Sequence, residues 1–440
     1  MLIKNATLVN EGRRFEADLR IKGERIDRIA ASIAADAGET VIDARGRWLL
    51  PGMIDDQVHF REPGLTAKGD LATESAAAVA GGITSFFDMP NVNPQTITRE
   101  ALAAKYGIAS GRCFANYAFY MGTTNDNLEE IAALQPNEAP AVKIFMGAST
   151  GNMLVDDPKT LEGIFARCPT IILTHCEDTP MIKLREEEAR KRWGEDVPFE
   201  EHPRIRSAEA CYKSTDLAVR LAEKHGTRLH VLHLTTAREL EFFAPGPIEK
   251  KQITVEACVH HLFFDESAYP KLGARLKCNP AVKTAADRVA LVNAVREGRI
   301  DIIATDHAPH LASEKAQSYF KAPSGLPLVQ HALLALLELV HRGELTLETV
   351  VQRACHASAI RFGVKDRGFL REGGYADLVL IDPKATTTAT DATALYKCGW
   401  TPFDGHTFPA RIDMTWVNGA VTYENGQVQK KPYGQRLQFA

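Results

Sequence analysis

The sequence predicts an α/β protein: a (β/α)8 TIM-like barrel with a small β-sandwich domain built from both chain ends. Three observations predict it. Eight short apolar strands alternate with helical stretches between residues 48 and 306. The flanking segments, 1–50 and 370–440, read instead as closely spaced strands with tight turns. The chain has 440 residues, enough for a barrel domain over 51–369 and a smaller domain beside it.

Taken in order, residues 2–9 alternate and are apolar. Residues 18–21 and 25–29 flank the Lys22-Gly23-Glu24 turn, and 40–43 runs into Ala44-Arg45-Gly46. The barrel strands follow at 48–55, 83–88, 113–120, 141–145, 170–175, 228–233, 253–258 and 301–306. The helices between them carry end signals. Asp178-Thr179-Pro180 reads as a cap with proline in the first turn, opening a helix towards Trp193. A helix over 207–224 ends at His225-Gly226, where glycine suits the left-handed position after a helix. Beyond 369 strands return: 377–381, then 412–417 and 421–423 around an Asn418-Gly419 hairpin turn. Both ends together make the second domain.

Composition narrows the function. Hydrophobic residues at 45% and charged residues at 25% are ordinary for a globular protein, which excludes disorder, collagen-like repeats and coiled coil. Lys+Arg 52 against Asp+Glu 56 gives a net charge of −4, so nothing favours a nucleic-acid or anionic-membrane partner. No apolar run approaches the roughly 18 residues that span a bilayer. The N-terminus lacks the long apolar region of a signal peptide. The cysteines, Cys113, Cys168, Cys176, Cys211, Cys258, Cys278, Cys355 and Cys398, are scattered without a Cys-x-x-Cys pair, as expected of reduced thiols in a cytoplasmic protein.

Active sites of such barrels lie at the C-terminal strand ends. Strand one ends in Asp55-Asp56-Gln57-Val58-His59-Phe60-Arg61, and alternation puts Asp55, Gln57, His59 and Arg61 on one face. Strand two ends Asp88-Met89-Pro90-Asn91, strand four carries Lys143, and strands five, six and eight end in His175, His233 and Asp306. Singly, each has a plain reading: a hydrogen-bonded structural histidine, an ion-paired lysine, an aspartate capping a turn. Together, at successive strand ends, they point to a metal-ligand set. His260-His261, after strand seven, reads as structural or as support for the ligands. His202, His225, His230, His331, His341, His356 and His406 lack a partner pattern, and Lys250-Lys251 reads as a solvated turn.

Over nearly its whole length the chain resembles the dihydroorotases of the amidohydrolase superfamily. The markers are Pro51-Gly52-Met53-Ile54-Asp55, His59-Phe60-Arg61-Glu62-Pro63-Gly64, Met89-Pro90-Asn91-Val92-Asn93-Pro94, Cys278-Asn279-Pro280 and Thr305-Asp306-His307-Ala308-Pro309-His310. The segment Gly374-Tyr375-Ala376-Asp377-Leu378-Val379 is similar to the superfamily's returning sandwich strand. The resemblance implies a zinc-dependent cyclic amidase with one or two zinc ions per chain, which interconverts N-carbamoyl-L-aspartate and L-dihydroorotate in pyrimidine biosynthesis. It implies His59, Lys143, His175, His233 and Asp306 as ligands, with Lys143 N-carboxylated. A carbamate offers two anionic oxygens where an ammonium offers none. It implies Asp306 as the proton carrier, Arg61, Asn91 and His310 as carboxylate contacts, Asn279 as a ring contact, and Ser324-Gly325 in a loop over the ring. A homodimer with a small-molecule substrate is expected.

The sequence departs from the family at Gln57, where most relatives have the first histidine of His-x-His. An amide oxygen is a weaker zinc ligand than imidazole, so Gln57 could serve only as a weak ligand. Ser324, where many relatives carry an aromatic residue, and Val282-Lys283, often Leu-Arg, are smaller departures. Two other readings follow: a catalytically impaired scaffold beside an aspartate transcarbamoylase, and a hydantoinase- or allantoinase-like amidase.

Overall fold

The computed structural model describes residues 1–135, 137–147 and 153–440. Its centre is a barrel of parallel strands: Met53–Val58, Ile83–Asp88, Asn116–Phe119 with Met121–Gly122, Ala141–Phe145, Ile171–His175, Leu229–Val231, Ile253–Cys258 and Ile302–Ala304. At the mouth, strand eight closes onto strand one. Val58 pairs with His307 in parallel, and His59 N donates to His307 O at 2.7 Å. Ile54, Phe87, Tyr120, Leu173, Phe362 and Phe439 pack as one buried cluster through the barrel. Each such side chain contributes about 1.5–3 kcal/mol by leaving water.

Four strands differ from the sequence expectation. The run 48–55 is two strands. Trp48–Pro51 belongs to the second domain, and Met53–Val58 to the barrel. They part at Gly52, where a Cβ would lie 2.1 Å from Thr84 Oγ1. The run 113–120 breaks at Tyr120, whose amide donates to Asp88 O at 3.1 Å. Strands six and eight stop short of His233 and Asp306, because these residues take left-handed φ of 38° and 51°. The helices follow their end signals. Asp178 accepts from Met181 N to open Thr179–Trp193, and Ser207 accepts from Ala210 N to open Ala208–His225, which Gly226 ends at φ 69°.

The chain ends pair in one nine-stranded sheet. Trp48–Pro51 lies inside it, parallel to Leu2–Asn10 on one edge and antiparallel to Leu378–Asp382 on the other. Ile3, Leu8, Leu19, Leu49, Leu378, Leu380 and Trp416 form its apolar core. Asn418 and Gly419, at φ 52° and 74°, turn Arg411–Val417 into Ala420–Glu424. A buried polar knot joins sheet to barrel. Asp377 accepts from Arg367, from Asn418 N at 2.7 Å and from Asn116 Nδ2 at 3.1 Å. The last residues leave this sheet. Leu437 N donates to Tyr117 O at 2.9 Å, laying the tail along barrel strand three, so 370–440 serves both domains. Among the described residues no helix is long and apolar enough to cross a membrane.

Candidate active site

A cavity of about 410 Å³ opens at the C-terminal ends of the barrel strands. Gln57, His59, Arg61, Asn91, Lys143, His175, His233, Asn279, Asp306, His310, Ser324 and Gly325 all line it. Every site residue marked in the sequence therefore meets at one mouth. A second cavity, of about 500 Å³, lies between His331 and the sheet strand carrying Arg411 and Ile412. Among the described residues it gathers no cluster of three or more metal-ligating side chains.

Strands five and six place two imidazoles face to face. His175 Nδ1 lies 2.9 Å from His233 Nε2. His175 Nε2 lies 2.8 Å from Glu177 Oε2, which also accepts from Arg206 at 2.6 Å. A carboxylate only accepts, so the His175 proton sits on Nε2 and the Nδ1 lone pair faces His233. Burial lowers the pKa of both rings, furthest for His233, whose Nδ1 has no hydrogen-bond partner among the described residues. Burial pushes Glu177 up, but Arg206 and His175 outweigh it and hold its carboxyl at about 2. Lys143, 1% exposed, lies below them over the Phe145 ring, and burial lowers it to about 8. At neutral pH it therefore holds an appreciable neutral-amine fraction, the form that adds carbon dioxide.

Strands one and eight build the opposite side. His59 Nδ1 lies 2.8 Å from Asn91 Oδ1, which directs Nε2 to Asp306 Oδ1 at 3.1 Å. Gln57 Nε2 donates to the same Oδ1 at 3.2 Å. Its amide oxygen turns away, 3.6 Å from Cys258 Sγ, so Gln57 is not posed as a ligand beside Asp306. Burial pushes Asp306 up, but His59 outweighs it and the carboxyl stays below its ordinary value. Its Oδ2 remains for the cavity. Arg61, His233 and Asp306 all have positive φ, backbone strain gathered at the mouth.

The donor set fits a divalent cation. Two facing imidazole nitrogens, an imidazole nitrogen beside a carboxylate, and an amine able to become a carbamate are a mixed nitrogen and oxygen set suited to zinc. Glu177 behind His175 and Asn91 behind His59 supply the carboxylate and carbonyl partners that orient ligating histidines.

The third wall is basic. Arg61 is 6% exposed, and burial lowers its guanidinium to about 10. It donates to Pro309 O at 3.1 Å and lies 3.1 Å from His310 Nε2. Among the described residues no carboxylate lies within salt-bridge distance of it. His310 Nε2 also lies 3.0 Å from Ser324 O, and Lys68 Nζ 3.1 Å from its Nδ1. Among the described residues Asn279 Oδ1 has no hydrogen-bond partner.

Sequence reasoning missed several contributors. Lys68 lines the cavity, and Lys315 Nζ pins the covering loop through Lys277 O, Pro323 O and Gly325 O at 2.9–3.0 Å. Nothing in the sequence around either lysine marks it as part of the site. Glu177 had a readable signal, two residues beyond His175 and so on the same side of an extended chain.

The sequence pattern of the amidohydrolase family matches residues 48–422. The chain is 34% identical over 417 residues to a dihydroorotase of Halobacterium salinarum, covering 93% of this chain and 94% of that one. It is 32% identical over 432 residues to an allantoinase of Bacillus velezensis, covering 97% and 94%. Among solved structures, an L-hydantoinase (dihydropyrimidinase) from Arthrobacter aurescens superposes with a TM-score of 0.92 at 26% identity, over 99% of each chain.

Proposed function

This chain belongs to the amidohydrolase family and is a cyclic amide hydrolase, and we propose that it is a dihydroorotase, opening and closing the ring between L-dihydroorotate and N-carbamoyl-L-aspartate in pyrimidine biosynthesis. Arg61 carries the reading. A buried guanidinium with no carboxylate partner has lost water without gaining a counterion, a state that costs several kcal/mol in isolation. A substrate carboxylate supplies the missing charge in a two-pronged fork. Asn91 and His310 stand on the same side, and the free Asn279 Oδ1 suits a ring N–H. The dihydroorotase relatives support the same substrate.

His59, Lys143 as its carbamate, His175, His233 and Asp306 would hold zinc. A zinc ion there supplies Lewis acidity towards water and the scissile carbonyl. The protein's own part is proton transfer and orientation. Asp306 Oδ1 is tied to His59 and Gln57, so Oδ2 takes the proton of the attacking water and returns it to the leaving amide nitrogen. In ring closure the same carboxylate takes the proton from the carbamoyl nitrogen. Arg61 and His310 fix the ring carboxylate so that the reacting carbonyl faces Asp306. The enzyme on this reading is a cytosolic homodimer.

A second reading, hydantoin or allantoin hydrolysis, is favoured by the allantoinase and hydantoinase likenesses. Assaying zinc- and bicarbonate-loaded protein on dihydroorotate, hydantoin and allantoin decides between them. Turnover of dihydroorotate supports the proposal. Turnover of allantoin or hydantoin alone replaces it, and turnover of none leaves the scaffold reading.

A further inference from the structure

Three donors that the reaction does not use stand behind Gln57. Cys258 ends the barrel strand Ile253–Cys258, and the helical turn Val259–Phe263 follows with His260 and His261. One ligand atom from each of the three lies within 4.8 Å of the others. All three residues are buried, at 0%, 1% and 3% exposure.

Hydrogen bonding accounts for the thiol, which donates to Gln57 Oε1 at 3.6 Å and to Glu256 Oε1 at 3.8 Å, but not for the imidazoles. Among the described residues neither nitrogen of His260 has a partner, and neither does Nδ1 of His261. His261 Nε2 lies 3.0 Å from Pro280 O. A carbonyl only accepts, so the proton is on Nε2 and Nδ1 is a bare lone pair. Proteins pair some nine in ten buried polar groups, because leaving one unpaired costs its full desolvation. Three unpaired nitrogens on adjacent residues make an exception that needs a cause. Burial lowers His260 to about 4 and His261 further, so both are neutral imidazoles at neutral pH.

We propose that Cys258, His260 and His261 form a binding site for a thiophilic divalent cation, zinc by the chemistry of its donors, separate from the centre of Lys143, His175 and His233. One thiolate and two neutral imidazoles are a common zinc set. Bonds of about 2.0–2.3 Å place tetrahedral ligands roughly 3.3–3.8 Å apart, so the three side chains need draw in by about 1.5 Å at most. The fourth position falls to Gln57 Oε1, already 3.6 Å from Cys258 Sγ. This gives the odd residue of strand one a use: its oxygen completes one site while its Nε2 holds Asp306 Oδ1. Without an ion, burial and the Glu256 and Asp306 carboxylates keep the Cys258 thiol protonated. Forming the sulfur–metal bond therefore releases one proton to solvent per ion bound.

The test does not depend on which ring the enzyme opens. The full chain is stripped with chelator and titrated with Co²⁺, following the thiolate-to-cobalt charge-transfer band in the near ultraviolet. The expected band appears in the native chain, persists in Lys143→Ala, and is absent from Cys258→Ser. Among the described residues no other cysteine stands in a group able to ligate. No band in the native chain overturns the proposal, and so does a band that survives Cys258→Ser. If Cys258→Ser does not fold, X-ray absorption of the zinc-loaded native chain decides: sulfur in the first shell upholds the site, and nitrogen and oxygen alone overturn it.

Discussion

The two sides of the barrel mouth hold their histidines in opposite ways. On the side of strands five and six, His175 and His233 turn nitrogens towards each other, with Glu177 and Arg206 locking the outer ring from behind. On the side of strands one and eight, His59 and Gln57 converge on a single oxygen of Asp306, and the amide adds a donor where the family places a ligand. The first side has lone pairs left for a cation. The second is already a hydrogen-bonded unit whose free atom, Asp306 Oδ2, faces the cavity. On the proposed reading, metal retention would rest mainly on strands four to six, with His59 and Asp306 as its weaker contributors, and proton handling on strands one and eight.

The sharpest way to break this division is at its metal side. Lys143→Ala or His233→Ala should remove about one equivalent of metal and lower turnover by more than the roughly 10²–10⁴-fold that a proton-transfer group supplies. Metal analysis and kcat on the same preparation check it. Full metal content in either variant would erase the distinction. Asp306→Asn should do the reverse, keeping the strand-five and strand-six metal while kcat falls by about 10²–10⁴-fold.

Arg61→Met sharpens the assignment of the third wall. Losing a hydrogen bond to a charged group costs about 1.5–3 kcal/mol, so kcat/KM on dihydroorotate should fall by about 10–150-fold. Hydantoin, without a carboxylate, should be unaffected, and an equal loss on both would deny Arg61 its role. Glu177→Gln should weaken metal affinity by about 10–100-fold, as loss of a ligand-orienting partner does. The same variant tests acid stability. The folded carboxyl, held at about 2, lies below its unfolded value of 4.5, so its contribution is complete above pH 4.5 and is lost as pH falls towards 2. Acid unfolding of Glu177→Gln should therefore have a shallower pH dependence across that interval.

Much of this was legible because the barrel puts its chemistry at strand ends, where a short local run such as Gln57-Val58-His59-Phe60-Arg61 shows both residue type and face. The helix ends at Asp178, Ser207 and Gly226 were readable for the same reason, since caps are local. What was not legible depends on distant partners. The division at Gly52 is imposed by Thr84, a neighbour more than thirty residues away. The loop-pinning role of Lys315 needs three carbonyls from two other segments. The pair His260-His261 reads as structural from sequence, and only unpaired nitrogens in the folded chain argue otherwise.

The placement of Trp48–Pro51 inside the nine-stranded sheet has a consequence for how the chain is made. One edge of this strand finds Leu2–Asn10 at once, but the other waits for Leu378–Asp382. At about 5–20 residues per second, the ribosome leaves that edge without its partner for roughly 15 to 65 seconds. Throughout that interval the nascent chain carries an open, apolar strand edge able to pair with a neighbour on the same message. Slow elongation, or a truncated product ending before residue 378, should therefore favour co-translational aggregation over release of a barrel lacking its last strands.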